Sequence, residues 1–214
     1  MDILYLAELI GTAVFAVSGA LAGIRYRMDV GGVLILGFLV GNGGGTLRDV
    51  ILGRGPVFWM IDKAFIVWAV LPAAIAFATA KYCLRNELKQ AVGERNVKLL
   101  TDIFVIADAL GLGLFAAVAC QVALDKGFDV VVSIIMAMVT CTGGGIMRDL
   151  LCNEIPLVFC REIYLTAALC GAIVYVVLLS LGLQGFAAIF PCLVVTTTIR
   201  LVSYFRNLHF PVVG

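Results

Sequence analysis

The sequence predicts an all-α integral membrane protein of seven transmembrane helices, arranged as two inverted three-helix repeats plus a seventh helix (3+3+1). Three observations lead there. Apolar residues make up 63% of the chain and charged residues only 14%, whereas soluble domains carry about 25% charged residues. Seven apolar stretches each approach the roughly 20 residues that a helix needs to cross a bilayer. The chain also matches itself, without a gap, at an offset of 100 residues: Gly43-Gly44-Gly45-Thr46-Leu47-Arg48-Asp49 against Gly143-Gly144-Gly145-Ile146-Met147-Arg148-Asp149.

The spans run over roughly 3–24, 30–53, 62–82, 102–123, 130–153, 162–182 and 186–205. The first begins Met1-Asp2 and holds Glu8 in its apolar run, so it lacks the basic start of a secretory signal and reads as a membrane helix. The organisation that follows is a first repeat over 1–84, a cytoplasmic linker over 85–101, a second, inverted repeat over 102–184, and a seventh helix with a C-terminal tail over 185–214. The linker belongs to the longest polar connection, Lys81 to Lys98.

Charge position predicts the orientation. Arg25, Arg27, Lys81, Arg85, Lys89, Arg95, Lys98, Arg161, Arg200 and Arg206 fall on one side, and Arg54, Lys63 and Lys126 on the other. By the positive-inside rule the N-terminus is external and the C-terminus cytoplasmic. A formal net charge of +1 offers no field for nucleic acid. The seven cysteines show no CxxC spacing and read as small packing residues. Trp59 fits an interfacial anchor, and His209 lies in the tail.

The repeat extends well beyond the triplets. Glu8 aligns with Asp108, Gly11 with Gly111, Phe15 with Phe115, Asp29 with Asp129 and Pro56 with Pro156. Three spans per repeat turn the second copy upside down, and inverted repeats of this kind place their binding or permeation site near the midplane, often on interrupted helices.

Three successive glycines cost about 1 kcal/mol each in a helix relative to alanine. The expectation is therefore a pair of helix breaks at Gly43–Gly45 and Gly143–Gly145, just past the middle of spans two and five. Close helix packing is the alternative, as for Gly19-x-x-x-Gly23 and Gly37-x-x-x-Gly41. Irregular backbone at that depth must be buried or line a cavity. Arg48-Asp49 and Arg148-Asp149 follow each triplet within the membrane, where charges usually face a cavity or a partner. Adjacent helical residues point about 100° apart, so each pair is expected to look to other spans. Glu8 and Asp108 are the leading partners, with Asp49 and Asp149 also available across the pseudo-twofold. Together these six residues form a candidate charge network or gate, and freed carbonyls at the breaks could replace part of a cation's hydration shell.

Asn42, Thr46 and Thr142 flank the triplets and are candidates for polar lining, unless their side chains bond their own helices. Phe15 and Phe115 are candidates for a hydrophobic constriction, with core packing the preferred alternative. No paired nucleophile and base, metal-ligand cluster or Walker-type loop stands in the sequence, which argues against an enzyme and against a nucleotide-driven pump.

The GGGTLRD and GGGIMRD segments, in a seven-span chain of 3+3+1 form, resemble the prokaryotic relatives of the trimeric intracellular cation (TRIC) channels, a group that overlaps bacterial membrane proteins with a glycine-transporter domain. That resemblance covers nearly the whole chain. It implies a bacterial plasma-membrane homotrimer surrounded by lipid, with a K+-permeable pore in each protomer, no cofactor, and kinks at the triplets; Na+ is a second candidate ion. Animal members carry a lipid-binding Lys-Glu-Val segment after the second triplet, where this chain has Arg148-Asp149-Leu150, a departure at the motif that phosphoinositide regulation uses there.

Two functions follow as expectations. A passive monovalent-cation channel uses the intramembrane acids, but must neutralise or move two permanently charged arginines. A carrier for glycine or another small amino acid uses the arginines to hold a carboxylate.

Overall fold

The computed structural model describes residues 2–87, 94–160 and 162–206; His209 lies outside them. The described residues form helices α1 (Ile3–Arg25), α2 (Val30–Ile51), α3 (Phe58–Ile61), α4 (Ala64–Glu87), α5 (Glu94–Asp125), α6 (Val130–Leu151), α7 (Leu157–Cys160), α8 (Glu162–Ser180) and α9 (Phe186–Phe205), with no strand among them. Seven of these, all but the four-residue α3 and α7, are long and apolar enough to cross a membrane. The spans agree with those read from hydropathy to within a few residues at each end.

The repeat is visible in how the helices start and stop. Asp29 caps α2 by accepting the Gly32 amide at 2.7 Å, and Asp129 caps α6 by accepting the Val132 amide at 2.8 Å. An aspartate at this position satisfies a donor that the first helical turn leaves free. At the far ends Gly53 and Asn153 adopt left-handed backbone, with φ of 62° and 57°. The next amides, of Arg54 and Glu154, then reach back to the Asp49 and Asp149 carbonyls at 2.7 and 2.9 Å. Both helices thus close with the same 6→1 turn.

Within the first unit α1 packs on α2 and α4; within the second α5 packs on α6 and α8. The units meet along α1 with α5 and along α2 with α6. Helix α9 lies outside the duplication and docks along α5 and α8. Two glycines admit it: a Cβ on Gly113 would lie 3.0 Å from the Leu193 Cα, and one on Gly171 would overlap the Thr196 hydroxyl. Their counterparts in the first repeat are Ala13 and Leu71, and Leu71 is exposed toward lipid.

Packing against α1, α6, α8 and α9 makes α5 the central helix, with 78% of its apolar window buried against 22% for α4. The outward rows, including Ile35, Val67, Ile75, Val131 and Val194, are large and apolar, as lipid requires. Outside the spans, Asp62 accepts the Tyr5 hydroxyl at 2.6 Å and the Ala64 amide at 2.8 Å. The Tyr5 hydrogen bond is the larger of the two effects holding the Asp62 carboxyl below the usual carboxylate range.

Candidate functional site

Helices α2 and α6 run through both glycine triplets without interruption. The expected helix breaks are therefore corrected, and with them the freed carbonyls. The physical reason is tertiary: each glycine is occupied by a neighbour. A Cβ on Gly44 would fall on the Thr140 carbonyl oxygen, and one on Gly144 would fall on the Val40 carbonyl oxygen. At Gly43 and Gly143 the Cβ would meet the Met147 sulfur at 2.6 Å and Leu47 Cδ1 at 2.8 Å. Gly45 lies under the Phe58 ring, and Gly145 lies 3.3 Å, measured from a Cβ, from the Tyr164 hydroxyl. The loss of helix propensity at these glycines is accepted because only Cβ-free backbones can approach so closely.

The charged residues lie on either side of this crossing rather than at it. Arg48 is four residues beyond Gly44, and Arg148 four beyond Gly144, so each is about 6 Å along its helix from the contact. The inverted topology makes α2 and α6 antiparallel, so the two arginines sit toward opposite membrane faces.

Around Arg48, Nη1 donates to Glu8 Oε1 at 2.7 Å and Nε to Asp49 Oδ1 at 2.8 Å. The other Asp49 oxygen accepts the Phe58 amide at 2.9 Å, and the guanidinium stands 5.4 Å from the Phe58 ring centre. Arg148 repeats the pattern. Its Nη1 donates to Asp108 Oδ1 at 2.6 Å, its Nε to Asp149 Oδ1 at 2.8 Å, and Asp149 Oδ2 accepts the Leu157 amide at 2.9 Å. Both guanidinium groups are essentially sealed from solvent, with 0% and 1% side-chain exposure.

Glu8 and Asp108 thus stand where the repeat register put them. The expectation that Arg48 and Asp49, or Arg148 and Asp149, would not pair is corrected. The arginine stem is long enough to fold back over its neighbour, and the short helices α3 and α7 fix the aspartate through its second oxygen. Asp49 and Asp149 accordingly pair within their own repeats and not across the pseudo-twofold.

The polar candidates look inward to their own helices. Thr46 and Thr142 donate to the carbonyls of Asn42 and Met138, each at 2.7 Å, and Asn42 Nδ2 donates to the Phe38 carbonyl at 3.2 Å. Trp59 is tied to α2 through a 3.0 Å hydrogen bond from its indole to the Thr46 hydroxyl. Phe15 and Phe115 stack at 5.4 Å with planes 10° apart, both fully buried, and each ring covers the other repeat's glycine, Gly111 or Gly11. That is the packing alternative. Replacing Phe15 with Leu is expected to lower stability by about 1–2 kcal/mol, read by chemical unfolding, and to leave unitary conductance unchanged.

Several neighbours of the second site have no counterpart in the first and no signal in the repeat. Ser18 accepts from Arg148 Nη1 at 3.0 Å, Phe104 lies 4.5 Å under the Arg148 guanidinium, and Tyr164 is fully buried beside it. Their repeat equivalents are Val118, Leu4 and Ala64. Arg200, counted above among the basic residues of one membrane side, is a buried residue of α9 whose guanidinium stands 4.7 Å from the Tyr164 ring centre. Next to this group lies a cavity of about 550 Å³, lined among others by Arg25, Arg27, Phe104, Glu154 and Arg200.

Residues 5–81 and 105–180, one segment in each repeat, match the family model described as glycine transporter. This chain belongs to that family. Its relatives in the glycine-transporter family include the UPF0126 membrane protein of Vibrio cholerae, 36% identical over 98% of this chain and 82% of the relative. The inner membrane protein YadS of Escherichia coli is 35% identical over 81% of this chain and 77% of its own length. Solved structures of the same fold include the TRIC trimeric intracellular cation channel orthologue from Rhodobacter sphaeroides, at 34% identity and a TM-score of 0.84, covering 97% of this chain and 100% of that one. A prokaryotic TRIC channel determined in 0.5 M KCl superposes with a TM-score of 0.84 at 29% identity, over 97% of this chain and 98% of that one. The family is thus one of integral membrane proteins of the TRIC fold, and its structural relatives are channels, not enzymes.

Proposed function

We propose that the chain is a monovalent cation channel, permeable to K+ with Na+ as a second candidate, with a pathway inside each protomer of a homotrimer in the bacterial inner membrane. In this reading the N-terminus is external and the C-terminus cytoplasmic, as the basic residues favour. The single observation that carries it is the charge balance of the two buried sites. Each buried arginine faces two carboxylates, Glu8 with Asp49 and Asp108 with Asp149, so the sealed groups of each site carry a formal charge of −1; the further cation at the first site, Arg54, stands 3.9 Å from Asp49 with its side chain 42% exposed, where solvent screens it. The arginines, the chief objection to a cation path, are outnumbered at both ends. The solved TRIC cation channels support the same conclusion.

The touching backbones of Gly44 and Gly144 leave no room for an ion between α2 and α6. Conduction therefore requires these helices to part at the crossing, a bend that three adjacent glycines permit. Purified protein in planar bilayers is expected to give single-channel K+ currents whose reversal potential follows the K+ gradient. Changing Glu8→Gln together with Asp108→Asn neutralises one acid per site. A unit charge about 8 Å away at an effective dielectric of about 40 is worth about 1 kcal/mol, so unitary current is expected to fall about fivefold and cation preference to weaken. Silent bilayers across a range of voltages would remove the channel reading.

A carrier for glycine or a similar small amino acid is the second reading. It is favoured by the family description and by Arg200, a guanidinium beside a cavity that suits a carboxylate. Saturable, stereoselective uptake of labelled amino acid without unitary currents would establish it instead.

A further inference from the structure

We propose that Arg200 is a fixed positive charge at one mouth of the ion pathway and makes the channel pass current more readily in one direction than in the other. This rests on the channel reading above. The buried charges of the two repeats are matched, one arginine and two carboxylates in each. Of the unmatched repeat charges near the ends, Arg25, Arg27 and Glu154 are exposed and Arg54 is partly so, where solvent screens them. Rectification needs a charge that belongs to one end only.

Arg200 is such a charge. It comes from α9, which has no copy in the first repeat. The residue is 3% exposed, its Nε has no hydrogen-bond partner, and it joins no ion pair among the described residues. A guanidinium stays protonated, and a buried one normally has an anion beside it. Here it stacks on Tyr164, whose hydroxyl points to Gly145, the third glycine of the triplet. It also lines the 550 Å³ cavity, whose wall includes Phe104, the ring that carries Arg148. The cavity is thus one aromatic ring from the second charge site.

The first site differs at the corresponding place. Its nearest extra cation is Arg54, whose side chain is 42% exposed and stands 3.9 Å from Asp49, where solvent screens it. The equivalent of Arg54 is Glu154, of opposite sign. One end of the path therefore has a sealed, unpaired cation and the other a solvated one.

The test is a single-channel current–voltage curve in symmetrical KCl, sorted channel by channel so that either insertion direction is usable. At about 0.1 M salt, where charges act over about 10 Å, the wild-type curve is expected to be asymmetric, with a current ratio at opposite voltages of about two- to fivefold. At about 1 M, where the screening length is about 3 Å, the ratio is expected to fall toward one. Arg200→Gln should abolish the asymmetry at low salt and Arg200→Lys should keep it, an outcome that a purely structural role for the side chain would not produce. A linear wild-type curve at low salt overturns the proposal, as does an Arg200→Gln channel that rectifies like wild type, and both leave the channel reading standing. Should Arg200→Gln fail to fold, Arg200→Met, which keeps the apolar stem without the charge, takes its place in the same measurement, and rectification like wild type in that variant overturns the proposal. Complete absence of wild-type current removes the channel reading and this inference with it.

Discussion

Gly44→Val is expected to destabilise the protein by more than about 3 kcal/mol, above the usual range for overpacking, and to leave little monodisperse protein in detergent. The magnitude follows from what the new side chain meets. Its Cβ would overlap the Thr140 carbonyl oxygen, part of the α6 backbone, which cannot rotate aside. Gly144→Val should behave alike, because its Cβ would strike the Val40 carbonyl. Gly43→Ala is the internal control. There the obstacle is the Met147 thioether, a flexible side chain, and the gain in helix propensity of about 1 kcal/mol offsets the displacement. A denaturant titration comparing the three variants checks this. Equal stability of Gly44→Val and Gly43→Ala would mean that the helices do not cross where their second glycines meet.

Arg148→Ala should be the next most damaging change, costing about 3–5 kcal/mol, because removing one partner strands buried charge. Asp108 and Asp149 would lose their shared cation, and Ser18 would lose its donor. The Leu157 amide would still hold Asp149, so that carboxylate could not simply turn away. Asp108→Asn is expected to cost less, since the arginine retains Asp149 and the amide oxygen can still accept from it. In a double-mutant cycle, Arg148→Ala combined with Asp108→Ala should cost less than the sum of the two single changes, by on the order of 1–3 kcal/mol. Strict additivity would mean that the pair is held apart in the membrane-embedded protein.

How much of this was legible in the chain depends on whether a feature is local or duplicated. Spans follow from hydropathy because lipid forces the backbone into helices whatever the side chains do. Glu8 and Asp108 could be named as arginine partners because the register singled them out twice. The continuity of α2 and α6 through the triplets could not be read, since helix propensity reports the cost of Gly43–Gly45 and is blind to the facing Thr140 carbonyl. The contact between Arg48 and Asp49 was hidden for a related reason. Their angular separation is a property of the helix, whereas the short helix α3 that pins Asp49 is only four residues long and leaves no periodic trace. The burial of Arg200 leaves no trace in the sequence, because the residue lies in α9, outside the duplication, and has no repeat partner to single it out.

The reciprocity of the central contacts has a consequence for how such a chain arose. Gly44 meets Thr140 as Gly144 meets Val40, and Phe15 covers Gly111 as Phe115 covers Gly11. In the language of oligomers this is an isologous interface, the same patch used twice about a twofold axis, here enclosed within one polypeptide. Two separate copies of a single three-span unit, inserted in opposite orientations, could make every one of those contacts. What they could not make is the berth for α9, because Gly113 and Gly171 exist in only one half. Those two glycines mark where the fused molecule has ceased to be a dimer of equals.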